Sequence, residues 1–139
     1  MNKLVINNKE LEEYYLKVEN ARERLKDFDK KFLNTLAAMV MQRVIPRTPV
    51  KTGRLRRSWK VSEIKQKGND LEIAIYNDAK DNGMDESYAS YIEYGHFTRG
   101  RVDWIEGRWM LTISTDEVNA EMRRVYDNLF NKFMKEQGL

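Results

Sequence analysis

The first third of the chain carries apolar residues at helical spacing. Between residues 7 and 44 they recur in steps of three and four, as they do on one face of an α-helix. They are Leu11, Tyr15, Val18, Ala21, Leu25, Phe28, Phe32, Leu36, Met39, Val40 and Val44. Charged residues fill the other faces as far as Lys31, whereas residues 33–44 are mostly apolar. We therefore expect the second end of this helix to be the buried one.

Capping and breaking residues mark the two ends of the predicted helix. Asn7 fits an N-terminal cap. Pro46 and Pro49 are the only prolines and are expected to end the helix, because proline cannot continue its hydrogen bonding. The predicted N-terminal helix covers residues 7–45, either continuously or with a break near residues 19–24.

Residues 46–110 predict a turn, a hairpin and an aromatic loop. Residues 59–65 and 71–77 read as paired strands, and the second alternates between apolar and more polar positions. The residues Lys67-Gly68-Asn69-Asp70 between them predict the hairpin turn.

A polar, acidic loop is expected at residues 78–86. After it, residues 87–94 predict a short helix that ends at Gly95. Residues 96–110 mix aromatic and charged side chains with two glycines, which favours a flexible hairpin or an extended loop.

A second strong helix is predicted over residues 114–137. Ser114 and Glu117 fit a capping box at its start. Its apolar stripe consists of Val118, Met122, Val125, Leu129 and Phe133. The sequence thus predicts an α+β fold in one domain of residues 1–139, with a long N-terminal helix, a small antiparallel sheet with a hairpin, and a C-terminal helix.

Composition narrows the class of protein. Of the 139 residues, 41% are hydrophobic, which is enough for one modest core, and 34% are charged, which is typical of a solvent-exposed surface. The absence of cysteine excludes disulfides and thiolate metal sites. No run approaches the roughly 18 apolar residues that span a bilayer, so no membrane is expected as a partner. The simple interpretation is a soluble protein made in the cytoplasm.

Positive charge is concentrated between residues 43 and 60. This basic segment comprises Arg43, Arg47, Lys51, Arg54, Arg56, Arg57 and Lys60. It holds seven basic residues and no acidic one, so the rest of the chain carries −4 against a total of +3. The segment is either a solvated helix end, where arginine suits the helix dipole, or a surface that contacts DNA phosphates or an acidic partner.

No constellation of residues supports catalysis. A Ser–His–acid triad would have to use His96, the only histidine, which lies beside a glycine in a predicted loop, so a loop or interface histidine is the favoured interpretation. His96 has no partners at metal-ligand spacing for a zinc site. The acidic loop does not match the calcium-loop pattern, and the scattered glycines form no phosphate-binding loop. We therefore expect no catalytic, cofactor-binding or metal-binding residues, no small-molecule substrate, and a protein that is not an enzyme.

Aromatic residues are concentrated between residues 88 and 109. They are Tyr88, Tyr91, Tyr94, Phe97, Trp104 and Trp109. Such a group either forms a core beneath the loop or belongs to an interface, where tyrosine, tryptophan and arginine are enriched. Tyr94, Phe97, Trp104 and Trp109 are the candidates for an interface.

Two motifs stand in order along the chain. The first runs Pro49-Val50-Lys51-Thr52-Gly53-Arg54-Leu55-Arg56-Arg57-Ser58, and the second runs Tyr88-Ala89-Ser90-Tyr91-Ile92-Glu93-Tyr94-Gly95. Gly53 permits a tight turn, from which Leu55 would reach the core while Arg54, Arg56 and Arg57 face outward. Glu93 is expected to pair with an arginine of the basic segment.

Together the two motifs resemble the tail-component family of tailed phages typified by the tenth gene product of the lambdoid phage HK97. The resemblance covers most of residues 30–135. Gly95-His96, Gly100 and Glu106-Gly107-Arg108-Trp109-Met110-Leu111 are similar to versions from Gram-positive phages and contractile-tailed prophages. Lys51 departs from the acidic residue usual at its position, so Thr52 would have to cap the turn.

The resemblance implies a structural virion protein at the neck or upper tail, assembled in the host cytoplasm. Its copies would form a six-fold ring around the channel for genomic DNA, between connector or adaptor proteins and tail-tube or terminator proteins. A tail terminator that caps the tube is the alternative within the same class. From another class, the alternative is a small DNA-binding module that uses the basic segment.

Overall fold

The computed structural model describes residues 3, 7–50, 53–81 and 87–139. Lys51 and Thr52 lie outside the described residues, as do residues 82–86 of the predicted acidic loop. The described elements, in chain order, are α1 (Asn8–Arg47), α2 (Arg54–Arg57), β1 (Trp59–Val61), β2 (Lys65–Lys67), β3 (Asp70–Glu72), β4 (Ile75–Asn77), α3 (Ala89–Tyr94), β5 (Gly95–Phe97), β6 (Trp104–Glu106) and α4 (Met110–Glu136). The predicted α+β class, with its two long helices and its hairpins, is confirmed.

α1 is one continuous helix of 40 residues. The Asn7 side chain accepts hydrogen bonds from the backbone N–H groups of Lys9 and Glu10, which confirms the predicted cap. The prediction that Pro46 ends the helix at residue 45 is wrong by two residues, because Pro46 lies inside the last turn and α1 ends at Arg47. A proline removes the one helical hydrogen bond that its own N–H would donate. Here that loss falls in the last turn, since the chain leaves the helix at Thr48. None of the described helices is both long and apolar enough to cross a membrane.

α4 starts four residues before its predicted start. It begins at Met110, so the capping box predicted at Ser114 and Glu117 is wrong. Ser114 lies inside the helix, fully buried, and its hydroxyl donates to the carbonyl of Met110 at 2.6 Å. Of the predicted stripe, Val118 and Phe133 are buried, whereas Met122 is 37% exposed.

α1 and α4 pack against each other as an antiparallel pair. Near one end, Arg47 contacts Glu117; near the other, Arg24 donates to the side chain of Gln137 at 3.3 Å. Two apolar clusters lie between the helices. One contains Leu36, Val40 and Val118, and the other contains Ala21, Phe28 and Phe133.

The predicted hairpin is present, but it is interrupted in the middle. β1 pairs with β4 and β2 with β3, both antiparallel, and the registers differ by one residue across residues 62–64. Ser62 bridges this irregularity, since its hydroxyl accepts from the N–H of Ala74 at 2.8 Å. Gly68, with φ of 60°, takes the first central position of the predicted turn.

A second hairpin follows α3. The predicted short helix is confirmed as α3, and it ends at Gly95, where φ is 90°. β5 pairs antiparallel with β6, so that Phe97 lies opposite Trp104. The aromatic loop predicted over residues 96–110 is therefore a hairpin that leads directly into α4.

Candidate functional site

Thr48 organises the C-terminal end of α1. It is only 1% exposed, and its hydroxyl donates to the carbonyl of Val44 at 2.7 Å. The same oxygen accepts from the indole N–H of Trp59 at 2.8 Å. Thr48 thus closes the helix with its side chain and fixes the buried tryptophan that starts β1.

The first motif packs onto this helix end. Gly53 has φ of 78°, a left-handed conformation that favours glycine, and Leu55 is buried as predicted. Arg56 does not face outward: it donates to the carbonyls of Pro46 at 3.2 Å and Thr48 at 2.9 Å. A cation at these carbonyls complements the helix dipole.

Two arginines of the basic segment bind α4. Arg43 reaches Glu121 at 2.6 Å and Glu117 at 3.5 Å, and Arg47 pairs with Glu117 and donates to the Ser114 hydroxyl at 3.1 Å. The hydrogen bond from Arg47 lowers the pKa of Glu117; desolvation opposes this, and the charges of Arg47 and Arg43 assist it. These contacts lie on the helix pair rather than on a free surface.

The remaining basic residues are spread around the first motif. Arg54 donates to the carbonyl of Lys80 at 3.1 Å and lies 3.5 Å from the carboxylate of Asp81. Arg57 and Lys60 are exposed and make no hydrogen bond or ion pair through their side chains with another described residue. Four of the six described basic residues therefore hold the chain together, and a DNA- or partner-facing role stays a prediction.

Glu93 of the second motif caps α4 from outside the helix. It is 5% exposed, and its carboxylate accepts from the N–H groups of Leu111 at 2.9 Å and Thr112 at 2.9 Å. Trp109 precedes α4 and provides no side-chain cap. A negative charge at a helix N-terminus is favourable. The predicted pairing of Glu93 with an arginine is wrong, because no ion pair joins them within the described ranges.

The backbone around Glu93 also connects the end of α3 to the start of α4, and we call this set of contacts the joint between α3 and α4. The N–H of Arg108 donates to the carbonyl of Ile92 at 2.7 Å, and that of Trp109 to the carbonyl of Glu93 at 3.0 Å. A Cβ on Gly107 would lie 2.4 Å from the Glu93 carbonyl oxygen. Only glycine allows these two stretches of backbone to approach so closely.

Both motifs contribute to one core cluster. Leu55 from the first motif lies with Val44, Trp59, Ala79 and Met110, and Met110 is fully buried. From the second motif, Tyr88, Ala89 and Ile92 pack against this cluster. The two motifs are distant in sequence because they approach the end of α1 from separate elements.

The aromatic group divides between core and surface. Tyr88 packs against the core, whereas the four interface candidates are exposed: Tyr94 by 58%, Phe97 by 57%, Trp104 by 48% and Trp109 by 43%. Phe97 and Trp104 meet edge to face at 5.0 Å, and Tyr94 and Trp109 at 5.3 Å. They form two exposed pairs of rings, which we call the aromatic surface, and the rings of each pair hold each other in place.

His96 and Tyr91 lie beside this surface. The His96 ring is within 3.2 Å of the Tyr91 carbonyl, and the two rings pack edge to face at 6.0 Å. The described residues contain no group of three or more side chains that could hold a metal ion.

A second exposed surface lies at the start of α1. Every residue from 8 to 20 is exposed, and burial begins at Ala21. We call residues 8–20 the arm. Its exposed apolar side chains are Leu11, Tyr14, Tyr15, Leu16 and Val18.

Some of these features could have been found in the sequence, and others were missed. Glu93 is an isolated acid among apolar and aromatic residues, which is the pattern of a buried carboxylate with a structural partner. Thr48 carried no such signal, because its partner Trp59 is 11 residues away and pairs with it only in the fold.

Comparison with known proteins places the chain in a family. No curated protein and no solved structure is significantly similar to it. A family described as "Bacteriophage HK97-gp10, putative tail-component" matches residues 12–95, more than half of the chain. The match includes both motifs, from Pro49 to Ser58 and from Tyr88 to Gly95. The chain therefore belongs to the HK97-gp10-like family of phage tail components.

Proposed function

We propose that this tail component is a ring-forming structural subunit at the neck of the particle, where it completes the tail and joins it to the head. The observation that carries the proposal is the exposed aromatic surface of Tyr94, Phe97, Trp104 and Trp109. Exposed rings in such a group favour burial against another protein. The chain would meet its own copies and the neighbouring connector and tail-tube or terminator proteins.

A ring is supported by the presence of two separate exposed surfaces. The arm and the aromatic surface lie on different elements, so a copy can offer one to each neighbour. Contacts between unlike surfaces are heterologous, and they close into a ring when the rotation between copies allows it. The proposed six-fold symmetry rests on the family resemblance alone.

The alternative of a small DNA-binding module receives less support. Arg43, Arg47 and Arg54 pair with carboxylates, and Arg56 binds backbone carbonyls. Among the described residues of the basic segment, Arg57 and Lys60 have exposed side chains that could contact the phosphates of DNA passing through a ring. Two cations per copy suit a channel lining better than a sequence-specific reader.

Removal of the gene from the phage or prophage tests the proposal. We expect separate heads and tails of normal length, and joined particles when the wild-type chain is supplied in trans. Tails of uncontrolled length would instead support the terminator alternative, since a tube without its cap continues to grow. Complete, infectious particles without the chain would overturn both assignments.

A further inference from the structure

The arm carries an uncovered apolar face. Leu11, Tyr14, Tyr15 and Val18 follow the spacing of one helical face, and they are 48%, 59%, 70% and 37% exposed. The face continues the stripe that α4 covers further along α1, from Ala21 onward. α4 ends at Glu136, and Gly138 reaches only as far as the Lys17 side chain. The described residues therefore leave the first turns of α1 without a partner.

The second hairpin (β5 and β6) offers a surface similar in length to the apolar face of the arm. The stripe from Leu11 to Val18 extends about 10 Å along the helix at 1.5 Å per residue. The three-residue strands β5 and β6 extend about 10 Å at about 3.3 Å per residue. Phe97 and Trp104 stand opposite each other on these strands, and Val102 at the tip is 78% exposed.

The two surfaces carry opposite charge. The arm has two lysines and four glutamates, a net charge of −2, whereas residues 95–109 have three arginines, one aspartate and one glutamate, a net charge of +1. None of the arm glutamates makes an ion pair with a described residue, and the same holds for Arg99 and Arg101 at the hairpin tip. Arm against arm would bring like charges together, whereas arm against hairpin brings opposite charges together.

We propose that the arm of one copy docks on the β5–β6 hairpin of the next copy. Leu11, Tyr15 and Val18 would cover the Phe97–Trp104 pair, with Glu12 and Glu19 beside the stripe facing Arg99 and Arg101. The contact is heterologous, so each copy donates one arm and receives another. This inference deepens the proposed ring and rests on it for its biological setting.

Self-association of the full chain tests the contact, measured by sedimentation velocity over a range of concentrations. The arm variant is Leu11→Ser with Tyr15→Ser, and the hairpin variant is Phe97→Ser with Trp104→Ser. We expect each to associate at least about tenfold more weakly than wild type, as for truncated interface anchors. All four side chains are 48–70% exposed, so far-UV circular dichroism should show an unchanged fold.

Mixing the two variants gives the sharper result. The arm variant keeps its hairpin and the hairpin variant keeps its arm, so an equimolar mixture should form a dimer with one intact contact and grow no further. In a second mixture, Glu12→Lys with Glu19→Lys should bind Arg99→Glu with Arg101→Glu more tightly than it binds the wild-type hairpin.

A matched control uses Leu16→Ser together with Tyr76→Ser. Leu16 is 63% exposed but lies about 140° around the helix from Leu11, and Tyr76 is 46% exposed on the first hairpin. This variant should associate as wild type does. Equal weakening in the control, or no dimer in the mixture of arm and hairpin variants, would overturn the inference.

The outcome separates this inference from the proposed function. If the wild-type chain stays monomeric, or binds only another particle protein, the arm–hairpin contact is wrong, even where gene removal still separates heads from tails. If the contact forms but particles are complete without the chain, the proposed neck function is wrong and the contact stands.

Discussion

At the scale of single residues, the joint between α3 and α4 depends on an acceptor that α4 does not supply itself. The N–H groups at the start of an α-helix lack partners within the helix. Glu93 supplies both carboxylate oxygens to them from the end of α3, and it does so while buried. The start of α4 is thereby tied to α3, and the hairpin between them is anchored at both ends.

Replacement of Glu93 by alanine should destabilise the fold by about 1–3 kcal/mol, because the partly buried N–H groups of Leu111 and Thr112 lose their acceptor. Urea unfolding followed by far-UV circular dichroism measures the loss. Glu106→Ala is the matched control, since Glu106 is an exposed glutamate on β6. Equal stability of the two variants would contradict the capping role.

The sequence marks Glu93 as important but predicts the wrong partner for it. The nearest excess of positive charge is the basic segment, so the sequence predicts an ion pair. The correct partners depend on where α4 begins. A helix that begins at Ser114 leaves the N–H groups of Leu111 and Thr112 outside it, whereas in the structure they belong to its first turn and need an acceptor.

At the scale of elements, the second hairpin is held by close contact between backbones. A Cβ at Gly107 would meet the carbonyl of Glu93 and the backbone of Tyr94 and Gly95, none of which can rotate away. At Gly68, in the first hairpin, a Cβ would meet nothing within 4 Å. The two glycines are therefore required for different reasons, one for lack of space and one for its positive φ.

Gly107→Ala should cost at least the upper end of the ~1–3 kcal/mol typical of over-packing. It should also change the near-ultraviolet circular dichroism of the neighbouring tryptophans, Trp104 and Trp109. Gly68→Ala should cost about 1–2 kcal/mol from backbone strain and leave the tryptophan signals unchanged. A Gly107→Ala variant as stable as wild type would show that the joint has room to adjust.

The stability of the folded chain should depend on pH through Glu117, which links α1 to α4. Its pKa is lower in the folded state than in the unfolded chain, chiefly because of the Arg47 hydrogen bond. The stabilisation is therefore fully present above the usual glutamate pKa of about 4.3 and is lost as the pH falls through the lowered value. Glu117→Gln should be less stable than wild type at pH 7, and the difference should disappear in acid.

Asp116→Asn is the control for this effect, since Asp116 is exposed and makes no ion pair with a described residue. Added salt should reduce the effect of Glu117→Gln, because its carboxylate and both guanidinium groups are partly open to solvent. A difference that is independent of both pH and salt would argue for a packing effect.

At the scale of the whole molecule, helical periodicity predicted α1 well because one stripe runs almost its full length. The same periodicity could not show that α4 stops before the arm is covered. Nor could strand patterns show the register shift at Ser62, where the side-chain hydroxyl, rather than a strand carbonyl, accepts from the N–H of Ala74. The convergence of the two motifs on Met110 likewise depends on tertiary contacts.

The single domain stays a prediction, and unfolding can test it. The three apolar clusters each contain residues of both α1 and α4, so we expect them to be lost together. Tryptophan fluorescence reports the end with Trp59, and far-UV circular dichroism reports the helices. The two transitions should coincide at low protein concentration; separate transitions would mean that the clusters unfold independently.

The arm can also be considered as a cantilever. α1 is clamped to α4 at two supports, the cluster that contains Ala21 and Phe28 and the ion pairs of Arg43, and its tip is free beyond Ala21. From Ala21 to Asn8 the helix extends about 20 Å at 1.5 Å per residue. A tilt of a few degrees at the supports therefore moves the tip by about an ångström or two. A neighbouring molecule at a slightly different distance can be reached by tilting a stiff rod, with the core left as it is.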